Sequence, residues 1–206
     1  MADVTLLAVS KTFGPGAVRE AHAAGQLAFG ENYVQEALQK MADLADLPLQ
    51  WHCIGPLQSN KTRPVAEHFD WVHTVDRLKI AERLAAQRPP ERPPLNVCIQ
   101  VNVDGGPTKA GVAPAEALAL ARAVAALPGL RLRGIMTIPE PASNFVAARA
   151  LHASARAVFD QLNAAGLALD TLSMGMSADL EAAVAEGSTL VRVGSAIFGG
   201  RPALGA

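Results

Sequence analysis

Residues 6–14 read LLAVSKTFG, and the fold turns on how the apolar run ends. Leu6, Leu7, Ala8 and Val9 form a short continuous apolar stretch closed by Gly14 and Pro15, the pattern of a fully buried strand feeding a turn and then a helix. Two α/β architectures begin this way. A doubly wound open sheet that binds a dinucleotide wants a glycine-rich turn directly after its first strand, and Ser10-Lys11-Thr12-Phe13-Gly14 is not one. A (β/α)₈ barrel remains, and it changes the meaning of Lys11. On an arbitrary strand a terminal lysine snorkels to water. At the C-terminal end of a barrel strand it stands where such barrels keep their active groups.

Working outward, strand-like apolar runs occur at 5–10, 27–30, 49–54, 71–75, 96–103, 130–138, 171–174 and 190–193, with helical spacing such as Ala17, Val18, Ala21, Ala24 between them. Eight alternations predict a single-domain (β/α)₈ TIM barrel over residues 1–206, at the small end of that fold's range. Eighteen basic against nineteen acidic residues leave a charge of −1 with no basic stripe, so no nucleic-acid partner is expected. No apolar run has the length of a membrane helix and no signal peptide is legible, so no membrane partner and a cytoplasmic location are expected. Cys53 and Cys98 lack metal-ligand spacing and read as buried thiols, with no metal site.

The chemistry-bearing residues fall at predicted strand ends. Glu31 and Asn32 follow the second strand, His52 lies in the third, and Gly175-Met176-Ser177 ends the seventh. Arg192 lies in the eighth, followed by Gly194 and Ser195. A helix expected to begin at about Ser177, and a short extra helix opening at Gly194 and Ser195, would place backbone N–H groups where barrels bind phosphate. Gly175 would let a ligand approach the backbone. A buried Arg192 needs an acceptor; the Glu31 carboxylate and the ring nitrogen of a ligand both qualify. Lysine, phosphate cup and arginine at one mouth suggest a phosphorylated aldehyde held as a Schiff base, and pyridoxal 5′-phosphate (PLP) fits all three. Burial beside a cation would favour the neutral amine that the condensation needs.

The stretches LLAVSKT, FGENYVQEA, WHCIGPLQSNK, LSMGMSADLEAAVAEGST and VRVGSAIFG, within a match running from residue 5 to 199, closely resemble the pyridoxal phosphate homeostasis protein family of the YggS/PROSC type. The barrel of that family is similar to the N-terminal domain of alanine racemase. The resemblance implies that Lys11 carries the internal aldimine, that Ser177 and the Gly194 and Ser195 backbone hold the phosphate, and that Arg192 faces the pyridine nitrogen. Asn32, His52 and Met176 would line the pocket. The chain departs from the family pattern at three places: a first strand only a few residues from Met1, a fifth loop DGGPTKAGV without the expected acidic residue, and a tail RPALGA without the usual tyrosine. The first departure is expected to leave one face of the barrel less covered.

Arg192 does not lose its proton at ordinary pH, so it can donate a hydrogen bond to a ring nitrogen but neither protonate it nor accept a proton from it. Such a ring is a poor electron sink. Racemisation survives that limit but needs an acid/base group on each face of the substrate carbon, and the chain has one tyrosine, Tyr33. The expected function is therefore binding and delivery of PLP in intracellular vitamin B6 homeostasis, without turnover and with no catalytic residues, by a monomer that serves PLP-dependent apo-enzymes. A low-activity amino-acid racemase is the alternative, and a cofactor-free Schiff-base aldolase a third. Lys109, in the fifth loop, reads either as a solvated lysine or as a second, transient attachment point during release.

Overall fold

The computed structural model describes residues 3–106 and 110–200; Lys109 and the RPALGA tail lie outside the described residues. Eight strands, β1 (Thr5–Val9), β2 (Ala28–Glu31), β3 (Gln50–Cys53), β4 (Trp71–Val75), β5 (Leu95–Gln100), β6 (Leu130–Met136), β7 (Thr171–Met176) and β8 (Leu190–Val193), pair in chain order. The last returns to the first, with Leu7 opposite Arg192 and Ala8 opposite Val193, so the sheet is a closed parallel barrel. The helices are α1 (Pro15–Ala23), α2 (Val34–Asp43), α3 (Thr62–His68), α4 (Leu78–Gln87), α5 (Ala117–Ala125), α6 (Phe145–Ala164), α7 (Leu180–Ala185) and a four-residue α8 (Ser195–Phe198).

Strand periodicity divides the core in two. Outward residues such as Ala8, Phe29, Trp51, Val72, Val97, Ile135 and Leu172 pack with Val18, Val65, Leu84 and Val124 from the helices. Inward residues fill the barrel in separate clusters, Leu7 with Val9, Ala28, Ile54 and Leu190, and Trp71 with Cys98 and Met136. Gly30 faces inward as well, where a Cβ would meet Leu7 and Ile54. Parallel strands buried on both sides explain the continuous apolar runs. Cys53 and Cys98 are buried thiols, both pushed up to about 12 by burial.

Two local expectations change. The helix after β7 begins at Leu180 rather than about Ser177: Asp179 stands at its N-cap position, and its carboxylate reaches away from the helix, Oδ1 accepting from the Met176 N–H at 2.7 Å and Oδ2 from His152 Nε2 at 2.9 Å. Ser177 is left in the preceding turn. Gly175 serves packing rather than ligand approach. Its φ is +96°, and a Cβ there would lie 2.6 Å from the Ala183 Cβ on α7.

Candidate functional site at the C-terminal mouth

The C-terminal ends of β1, β2, β7 and β8 surround a cavity of ≈370 Å³. It brings together Lys11, Asn32, Met176, Ser177, Arg192, Gly194 and Ser195, seven of the eight residues expected from the sequence. The short helix after Gly194 is present as expected. It is anchored by Phe198, which stacks on Phe13 with ring centroids 5.1 Å apart. The loop that carries Lys11 and the turn that carries Gly194 and Ser195 are thus joined by an aromatic pair. At Gly194 a Cβ would sit 3.2 Å from the Val9 carbonyl oxygen, so the backbone here lies close against β1. Phe13, Ile54 and Ile138 complete the apolar wall; nothing in the sequence separates them from ordinary core residues.

Arg192 is 4% exposed and borders the cavity. Glu31 is not its partner. Instead Nη1 donates to Ser173 Oγ and Nη2 to the Thr137 carbonyl, both at 2.7 Å. Burial pushes the guanidinium down to about 10, which leaves it a cation at neutral pH. A cation held by two neutral oxygens keeps its charge available to whatever occupies the cavity.

His52 lies elsewhere. It faces into the barrel but near the N-terminal end, where it borders a second cavity of ≈250 Å³ with Thr5, Gln50 and Trp71. From there a hydrogen-bond chain crosses the barrel interior back to Arg192. Ser173 Oγ accepts from Arg192, which only donates, and lies 2.9 Å from His73 Nδ1, to which it gives its own hydrogen in the chain set from the other end. His73 Nε2 then donates to His52 Nδ1 at 2.9 Å, and His52 Nε2 donates to Gln50 Oε1 at 3.0 Å. The acceptor-only Gln50 Oε1 fixes both neutral tautomers and the direction of the whole chain. Both histidines are neutral: burial pushes His52 down to about 3, and burial together with the charge of Arg192 carries His73 well below its ordinary value.

A second polar cluster lies outside the barrel, between its wall and α2. Glu31, fully buried, accepts from Ser10 Oγ at 2.6 Å and from Lys40 Nζ at 2.5 Å. Lys40 also donates to the Ser10 carbonyl at 2.9 Å and to Glu36 at 3.2 Å. Burial pushes the Glu31 carboxyl up, against the pull of Lys40. Among the described residues no group of three or more His, Cys, Asp or Glu could hold a metal ion, and no helix is long and apolar enough to cross a membrane.

Fold and mouth together define a barrel of the alanine racemase type, and the family model described as "Alanine racemase, N-terminal domain" matches residues 1–202. The chain is 64% identical over 200 residues to the pyridoxal phosphate homeostasis protein of Pseudomonas aeruginosa, covering 97% of this chain and 86% of the relative. It is 44% identical to PipY of Synechococcus elongatus PCC7942, solved with PLP bound, at a TM-score of 0.87 over 95% of this chain and 92% of that one. The chain belongs to the pyridoxal phosphate homeostasis protein family. Alanine racemase of Clostridium difficile, 17% identical with a TM-score of 0.80, shares the fold over 99% of this chain and 54% of its own.

Proposed function

We propose that this chain binds pyridoxal 5′-phosphate at the C-terminal mouth and carries and releases it in vitamin B6 homeostasis, without turnover of its own. The observation that carries the reading is the convergence on one cavity of an amine, Lys11, a neutral-bonded cation, Arg192, and the close-packed backbone turn at Gly194 and Ser195. The residues fit the cofactor: Asn32, which lines the cavity, has a buried Oδ1 with no hydrogen-bond partner, an acceptor that a ligand donor satisfies. Support comes also from the 64% identical relative, named a pyridoxal phosphate homeostasis protein, and from PipY, solved with PLP.

When bound, the cofactor supplies an aldehyde able to form a reversible covalent bond to an amine. Lys11 is the amine that would take up that bond. Ser177, with the N–H groups of Gly194 and Ser195, holds the phosphate by charge-assisted hydrogen bonds. Arg192 would donate toward a ring nitrogen without giving up its proton. Tyr33 is 58% exposed and does not line the cavity, so it offers no proton donor opposite Lys11. This favours carriage over racemisation, and the recipients are PLP-dependent apo-enzymes.

The test is to incubate the loaded protein with an apo-form of a PLP enzyme and, separately, with L-alanine. Restored enzyme activity, no D-alanine, and loss of the visible absorption band in Lys11→Ala are expected. Steady racemisation abolished by the same substitution would overturn the carrier reading.

A further inference from the structure

Lys40 is a lysine 3% exposed that takes no part in the chemistry above. Burying an ammonium between carboxylates is expensive, and replacing such clusters with apolar side chains is often neutral for stability. The reason to keep one lies in what it touches. Its three donors go to Glu31, Glu36 and the Ser10 carbonyl, and a lysine has three to give. Glu36 also accepts from the Thr12 N–H at 2.7 Å, and Glu31 from the Ser10 hydroxyl. The backbone on both sides of Lys11 is therefore gripped, Ser10 by Lys40 and Glu31, Thr12 by Glu36. Thr12 has φ +69°, a left-handed conformation that a β-branched residue adopts only under constraint. The cluster supplies that constraint.

We propose, on the reading that Lys11 is the attachment residue, that Lys40 is its positioning residue: acting through Glu31 and Glu36, it fixes the backbone on either side of Lys11 and so aims the amine at the cofactor aldehyde. It cannot stand in for Lys11, because it lies outside the cavity with its three donors committed to Glu31, Glu36 and the Ser10 carbonyl. A merely structural ion cluster would support every ligand of the cavity alike. A positioning cluster acts only on ligands that must react with Lys11.

Pyridoxamine 5′-phosphate, which has the ring and phosphate but no aldehyde, separates the two. The proteins are wild type, Lys40→Met, Lys40→Arg, and the double variant Lys40→Met with Glu31→Gln, which leaves no unpaired buried charge and so guards against misfolding. The measurements are the rate at which the visible band appears on mixing apo-protein with PLP, the pH midpoint of that band, and affinity for pyridoxamine 5′-phosphate. In Lys40→Met and the double variant we expect band formation to slow by about tenfold or more, as for a small misplacement of a reacting group, with a shifted midpoint. Pyridoxamine 5′-phosphate affinity should stay within about twofold, and Lys40→Arg should recover most of the rate. A wild-type rate and midpoint in the double variant, or equal losses for both ligands, would overturn the proposal. Borohydride fixation and peptide mapping of the wild type keep the underlying reading separate: a pyridoxyl group away from Lys11 sinks that reading, whereas label on Lys11 with unaltered variants sinks only the role of Lys40.

Discussion

Two buried polar systems support one mouth by opposite means. Inside the barrel a single cation, Arg192, is followed by neutral links only, Ser173, His73, His52 and Gln50. On its flank, Lys40 is set directly between Glu31 and Glu36. The first system leaves a charge unneutralised and facing the cavity; the second neutralises charge and immobilises backbone. A ligand-facing cation needs neutral partners, because a carboxylate would compete with the ligand for it. A scaffold cation can take ionic ones, which offset its desolvation more strongly.

The contrast breaks first under charge removal. Lys40→Met should lower the unfolding free energy by about 3–5 kcal/mol, because Glu31 is left buried and unpaired, and adding Glu31→Gln should recover most of that loss in urea denaturation. If the double variant is as unstable as the single one, packing rather than charge dominates the flank.

Acid separates the systems next. His52 and His73 titrate in the unfolded chain near 6.5 but only at far lower pH when folded. Below that unfolded value the unfolded state binds protons that the native state does not, so their neutral burial costs stability as pH falls from about 6.5 toward 3. His52 contributes a slope of roughly 1 kcal/mol per pH unit over this window, and His73 acts in the same direction. A variant carrying His52→Gln and His73→Gln should show a flatter fall than wild type between pH 6 and about 4.5 in the same assay. Parallel curves would mean that the interior chain is not the acid-sensitive element.

The smallest effect sharpens the comparison. Ser173→Ala removes one neutral acceptor from Arg192 and should cost about 1–3 kcal/mol of stability. It should leave band formation at Lys11 close to the wild-type rate, since the flank cluster is untouched. Slowed attachment in this variant would show that the two systems are coupled.

Much of this molecule is legible from strand periodicity. It places the fourth and eighth strands at their observed bounds, 71–75 and 190–193. It makes the fifth too long, because Val101 and Val103 remain apolar after the ladder ends at Gln100; Val101 then bridges to Val112 as the loop folds back. Period two says that His52 faces inward but not how deep. Depth comes from register, which sets His52 opposite Gly30 and Trp71 and leaves Ile54, two residues on, at the level of the cavity. Ser177 and Asp179 are both residue types that favour a helix start, and only the fold brings His152 to Asp179 and sets the helix after it. Lys40 is invisible in the sequence for a related reason: on an amphipathic helix a lysine reads as solvated until its carboxylate partners are placed.

The seam between β1 and β8 has a consequence for biosynthesis. Lys11 and Gly194 line one cavity although they stand far apart in the sequence, brought together by the pairing of Leu7 with Arg192 and Ala8 with Val193. A ribosome delivers Lys11 with the first strand of the barrel and the turn at Gly194 only after the last. No nascent chain short of β8 has both walls of the cavity, so a complete cavity marks a barrel translated through β8 and closed.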